Sequence, residues 1–243
     1  MLGLALPVVL ALLRPPPAEP TASAAPAPPD IAAGVAKGRE ELARYVWRLK
    51  TDMKVNGSLR ISKVEDVHLG PDGRLVMQKT VRFERKTQPT PLPYNDPRKH
   101  YEAPPSEEEE ERLFDTARDL MQFYASLSPE RVAAWTKKAE VMPHDPERAG
   151  REKMHGRGLG RPEDDAVVYL DPETHTAVEI EVKTSVSAKI LQIAFLRVFF
   201  EPLRTARMAD SPPIVPKRIF MNLDQGRRHV TLEMETSDFR TWP

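Results

Sequence analysis

The sequence predicts an α+β fold in which an antiparallel β-sheet packs on one central amphipathic helix. Two observations carry this. The first is Ser106–Leu127, SEEEEERLFDTARDLMQFYASL. Ser106 followed three residues later by Glu109 forms a capping box, and Glu107 to Glu111 put negative charge on the first turns, where the helix dipole favours it. Leu113, Phe114, Ala117, Leu120, Met121, Tyr124 and Leu127 then fall at helical spacing and make one apolar stripe, which needs a surface to lie on. The second observation is that the chain on both sides of this helix alternates with period two between tight-turn signals, so the surface is an antiparallel sheet.

The 243 residues suit one large β-rich domain with a dispensable N-terminus. Residues 2–13 are an apolar run too short to span a bilayer, and Ala22-Ser23-Ala24 follows as a small-residue cleavage site. Residues 1–24 therefore read as a secretory signal peptide, although no Lys or Arg precedes the run, and the mature protein is expected in the periplasm, at most peripheral to the membrane. Residues 25–41 are linker and a short helix, which starts at Ile31, and 42–243 form the main β-rich domain. Eight of the 25 prolines lie in the first thirty residues and six between Pro89 and Pro105, marking a leader and a loop.

From Arg44 to Val55, Tyr45, Trp47, Leu49, Met53 and Val55 face one way and Arg44, Arg48, Lys50, Asp52 and Lys54 the other, as in a half-buried strand. Asn56-Gly57 is a strong hairpin signal, because a type I′ turn requires positive φ at both central residues. Leu59–Leu69 is the return strand, Gly70-Pro71-Asp72-Gly73 the next turn, and Leu75, Met77, Val81 and Phe83 alternate along a third strand. After the central helix, Ser128-Pro129 starts a short helix to about Lys138. Strands follow near Arg151–Gly160, Ala166–Asp171 and Ala177–Val186. Lys189–Phe200 is apolar at both parities and is expected to be covered on both faces. Lys217–Leu223 and His229–Thr236 form a last hairpin, giving eight or nine strands.

Lys+Arg and Asp+Glu both total 36, so net charge supports no nucleic-acid partner. Without cysteine there is neither a disulfide nor a thiolate metal site. Asp171 with Glu181-Val182-Lys183 matches the D…ExK pattern of metal-dependent nucleases, in which two carboxylates hold Mg²⁺. Alternation of Val178, Ile180 and Val182 with Glu179, Glu181 and Lys183 is equally the pattern of a strand with one wet face. Gly156, Gly158 and Gly160 lack the following helix that a phosphate cradle requires. They are expected to mark a bulge or a close approach of another element. The six histidines are scattered, and no metal or cofactor is expected. A curved sheet around a helix can leave an apolar cleft. Its candidate lining is Trp47, Leu49, Met53, Met77, Phe83, Phe114, Ala117, Met121, Tyr124 and Trp135, and methionine-rich walls adapt to irregular apolar ligands.

The order of the Tyr45-Val46-Trp47-Arg48 strand, the Asn56-Gly57 hairpin, the Pro71-Asp72-Gly73 turn, the amphipathic helix and Val168–Thr174 leading into Val178–Val182 resembles exported bacterial proteins of the LolA-like, periplasmic lipoprotein-carrier group. The resemblance covers Leu42–Asp238 and rests on turn and strand signatures, not catalytic ones. It implies a half-barrel closed by helices over a cavity for acyl chains, hence a non-catalytic periplasmic binding protein for a lipid or another apolar ligand, with a lipid, a lipidated protein or an envelope protein as partner. Relatives of this shape also act as envelope-stress regulators, so an interaction module without ligand is the alternative. A hydrolase using Asp171, Glu181 and Lys183 is the third reading.

Overall fold

Asn56 and Gly57 take positive φ, 49° and 81°, and fold β1 (Tyr45–Val55) back on β2 (Ser58–Leu69), as the hairpin signal predicts. In this computed structural model the described residues are 31–86, 106–142, 148, 150–184, 192–203, 214–225 and 228–242. The expected leader, residues 1–24, and the whole proline-rich loop, residues 88–105, lie outside them. A turn at Gly70–Gly73 leads from β2 into β3 (Leu75–Arg85). The remaining strands are β4 (Glu140–Met142), β5 (Glu152–Arg157), β6 (Asp165–Leu170), β7 (Ala177–Lys183), β8 (Gln192–Pro202), β9 (Ile214–Gln225) and β10 (Arg228–Thr241).

All ten strands join one antiparallel sheet in the order β3-β2-β1-β10-β9-β8-β7-β6-β5-β4. The sheet is curved but open, because β3 and β4 are edges and do not pair with each other. The expected half-barrel therefore forms with one more strand than the largest expected number. Periodicity does not reveal the short β4, since its three residues carry too little alternation.

The central helix is α2 (Glu107–Ala125), flanked by α1 (Ile31–Leu42) and α3 (Pro129–Thr136). The capping box is formed: Glu109 N–H donates to Ser106 Oγ at 3.2 Å, and Ser106 N–H donates to Glu109 Oε2 at 2.9 Å. Such caps contribute about 1 kcal/mol. The stripe of α2 is buried throughout and meets one apolar core, built on the inner face from Trp47, Leu49 and Met53 of β1, Leu232 and Met234 of β10, Ile219 and Met221 of β9, and Leu196 and Val198 of β8.

Polar side chains fasten α2 to the sheet. β2 carries an extra residue opposite Met53–Lys54, so Arg60 is a bulge that re-aims its side chain toward the helix. There its Nε and Nη2 donate to Glu110 Oε1 at 3.1 and 2.7 Å, with both side chains buried. Arg85 of β3 reaches Glu107 and Glu111, and Arg118 of α2 reaches Glu65 of β2.

β8 corrects an expectation. It is covered on one face, with Leu196 and Val198 in the core, while Phe195 and Phe199 lie half-buried on the other. The guanidinium of Arg197 stands 4.5 Å from the Phe195 ring centre and that of Arg218 5.6 Å from Phe199. Arginine stems and cation–π contact thus roof the rings, with no second layer among the described residues.

Candidate functional site

Eight of the ten cleft candidates are buried: Trp47, Leu49, Met53, Phe114, Ala117, Met121, Tyr124 and Trp135 are each 3% exposed or less. They are packed against one another in the core between α2, α3 and the sheet. The void beside Trp47 and Leu49, closed by Leu42, Leu69, Met234 and Phe239, measures about 30 Å³. That volume takes a water molecule, not an acyl chain. Met77 and Phe83 are 53% and 47% exposed on the edge strand β3, outside that core. Alternation along β3 is correct as far as it goes. Strand periodicity assigns a face, and it cannot show that no helix among the described residues covers that face at the sheet edge.

A larger apolar pocket lies elsewhere, at the end of the sheet where α1 packs against β9. It holds about 390 Å³ and is lined by Ile31, Gly34 and Val35 of α1, the turn Thr174-His175-Thr176 with Ala177, Phe200 of β8 and Ile214 of β9. Two local features shape it. Gly38 lets α1 lie directly on the first residue of β9, because a Cβ there would stand 2.6 Å from the Ile214 carbonyl oxygen. Asp171 shapes the turn: its Oδ1 accepts from Glu173 N–H and Thr174 N–H at 3.0 and 2.8 Å. Those hydrogen bonds, the Thr174 amide foremost, hold its carboxyl below the usual carboxylate range. His175, at φ 54°, sets its Nδ1 3.1 Å from Glu152 Oε2 at the pocket rim. The size and largely apolar lining match a small-ligand site with a few polar groups. Sequence reasoning missed this pocket, and no local pattern signals it, since its walls come from four segments spread over more than half the chain.

The D…ExK residues do not assemble. Strand register sets Glu181 opposite Val167 and Lys183 opposite Asp165, four and six residues along β6 from Asp171. At about 3.3 Å per residue, Glu181 is then roughly 13 Å from Asp171. No group of three His, Asp or Glu side chains among the described residues could hold a metal ion.

The simple wet-face reading of β7 also needs correction. Glu179 is 2% exposed, with Arg148 Nη1 at 2.5 Å and Arg151 Nη1 at 3.4 Å. Glu181 takes Arg148 Nη2 at 2.6 Å and Arg197 Nε at 3.0 Å, and Tyr169 Oη donates to it at 3.3 Å. Only Lys183 of the three is exposed. Arginines thus surround both carboxylates, as removing a charge from water requires.

The glycine string behaves as a packing device. A Cβ at Gly156 would lie 3.0 Å from Trp135 Nε1, and one at Gly160 would lie 2.6 Å from Phe123 Cε1 and 2.9 Å from Tyr124 Cε1. The expected close approach is thus made by α2 and α3 together. Tyr124 Oη donates to Asp164 Oδ1 at 2.8 Å, and Gly160 N–H and Arg161 N–H donate to Asp164 Oδ2 at 2.8 Å, so the fully buried Asp164 is well supplied. Burial, then this hydrogen bond, pushes the Tyr124 hydroxyl well above the usual phenol range.

No family profile matches the chain and no curated protein matches it. Among solved structures, a putative outer membrane lipoprotein-sorting protein domain from Vibrio parahaemolyticus is similar at 11% identity, over 85% of this chain and 90% of that one, with a TM-score of 0.41. A LolA superfamily protein from Nitrosomonas europaea is similar at 9% identity over 88% and 94%, with a TM-score of 0.38. The MucA/MucB complex of Pseudomonas aeruginosa includes a chain similar at 12% identity over 88% and 100%, with a TM-score of 0.23.

Proposed function

We propose that this chain is a non-catalytic binding protein that accepts a lipid acyl chain or a comparable apolar ligand. The observation that supports the reading is the pocket of about 390 Å³ between α1, the Thr174–Ala177 turn, Phe200 and Ile214. It therefore takes the place of the tightly packed cleft under α2 as the ligand site. A headgroup would meet Thr174, Thr176 and the His175–Glu152 pair at the rim.

Gly34 provides the test. It lines the pocket, and a Cβ built on it meets nothing within 4 Å. Gly34→Ala should leave room for ligand and raise stability by up to about 1 kcal/mol through helix propensity. Gly34→Phe should fill the space and weaken binding of a fluorescent long-chain fatty acid at least tenfold, with the melting transition kept. Wild-type protein that takes up no such probe after delipidation would end the carrier reading. Equal affinity in Gly34→Phe would move the ligand to another place.

The companion proposal is export to the periplasm with loss of residues 1–24. Its support is the apolar run before Ala22-Ser23-Ala24. Among the described residues no helix is long and apolar enough to cross a membrane. N-terminal sequencing of protein from the envelope fraction should begin after Ala24, and Met1 there would refute the cleavage.

A further inference from the structure

β3 is a long edge strand that no helix or strand among the described residues covers. Val76, Met77, Val81 and Phe83 are 40 to 53% exposed on it, four large apolar side chains on one strand. Register assigns Met77 and Phe83 to the inner face. Met77 pairs with Val67, which is in the core, and Phe83 stands two residues from Arg85, which pairs with the core residue Ile61. Arg85 itself stands 6.0 Å above the Phe83 ring centre and holds Glu107 and Glu111 of α2. The apolar strip therefore runs beside α2 on the concave side.

The flank of α2 along this strip is acidic. The helix carries seven carboxylates, Glu107–Glu111, Asp115 and Asp119, against two arginines, Arg112 and Arg118. Glu107, Glu111, Asp115 and Asp119 recur every four residues and so share one face, with side chains 51 to 70% exposed. Arg85 pairs with the first two and Arg118 with the last two, and four carboxylates against two arginines leave the ridge net negative. Glu65, opposite Thr80 of β3, bonds Arg118 and fixes the lower end of the ridge next to the strand. Extra residues in β3 at Gln78 and Val81 interrupt its register with β2 and make a continuous added strand unfavourable. Side-chain recognition is left as the means of holding a partner.

We infer that the strip of Met77, Val81 and Phe83 beside the Glu107–Asp119 ridge docks an extended segment of a partner polypeptide in which basic residues alternate with large apolar ones. The apolar side chains would cover β3 while the cations meet the carboxylate ridge, and period two is the spacing an extended chain offers. Charge complementarity selects this occupant over an acidic peptide or an anionic membrane, both of which the ridge repels.

The test uses two labelled octapeptides, KVKFKVKF and EVEFEVEF, and fluorescence anisotropy with the whole protein. The basic peptide should bind and the acidic one should not, with affinity falling as salt rises. Phe83→Ser with Met77→Ser, and separately Asp115→Asn with Asp119→Asn, should each weaken binding at least tenfold. All four side chains are half-exposed or more, so the melting transition should stay within a few degrees of wild type. Equal affinity in both variants, or equal binding of the two peptides, would overturn the assignment. So would concentration-dependent sedimentation abolished by Phe83→Ser, which would make a second copy the occupant. Binding only after residues 88–105 are replaced by a Gly/Ser segment of equal length would overturn it too, in favour of that segment.

Discussion

Met121→Glu is expected to unfold the domain. Met121 is fully buried on the face of α2 that also carries Phe114, Ala117 and Tyr124. A carboxylate placed there would be taken wholly out of water, since Met121 is 0% exposed in the apolar core. Burying an unpaired ionisable group costs on the order of 4 kcal/mol or more, against a total stability of about 5–15 kcal/mol for a domain. Leu120→Ala, 5% exposed in the same stripe, should cost about 2–5 kcal/mol and leave a cooperative transition at lower temperature. Thermal unfolding followed by circular dichroism separates the two. A near-wild-type transition for Met121→Glu would mean that water reaches the underside of α2, and would return the ligand site to the residues first expected to line it.

Arg60→Met is expected to be almost as damaging, for the opposite reason. It leaves Glu110 buried, 3% exposed, with its cation removed. Breaking one side of a buried pair costs about 3–5 kcal/mol, whereas replacing both sides by apolar groups of similar volume is often close to neutral. Arg60→Met with Glu110→Met should therefore recover most of the stability lost by Arg60→Met alone. Urea unfolding of the two single variants and the double variant gives the coupling directly. Simple addition of the two losses would show that the bulge at Arg60, and not its ion pair, is what the fold requires.

Much of the architecture could be read from local chemistry. Ser106 and Glu109 announce the start of α2, its stripe announces which face is buried, and Asn56-Gly57 announces the first hairpin. What local chemistry cannot carry is placement. Met53 and Met77 alternate in the same way along their strands, yet β1 lies in the middle of the sheet and β3 at its edge, so one is fully buried and the other half-exposed. Phe195 and Phe199 read as buried because the arginines that roof them are identified only by strand register. Glu179 and Glu181 read as solvated because Arg148 approaches from a different segment. The pocket was illegible for the same reason: Val35 and His175 are 140 positions apart, and nothing in either neighbourhood refers to the other.

The pairing of β1 with β10 has a consequence for how the chain is made. Tyr45 lies opposite Thr241 and Val55 opposite Val230, so the first and last strands meet in the middle of the sheet. Until β10 emerges, β1 has a partner on one side only, and its core face, from Trp47 to Val55, lacks Leu232 and Met234 as neighbours. The N-terminal three-stranded meander can form early, but it cannot bury that face alone. Closing a loop of nearly two hundred residues is slow relative to local hairpin formation. A nascent chain would therefore remain unlocked until β10 has been made. That delay would suit the export proposed above, in which a chain is threaded through a narrow channel before it folds on the far side.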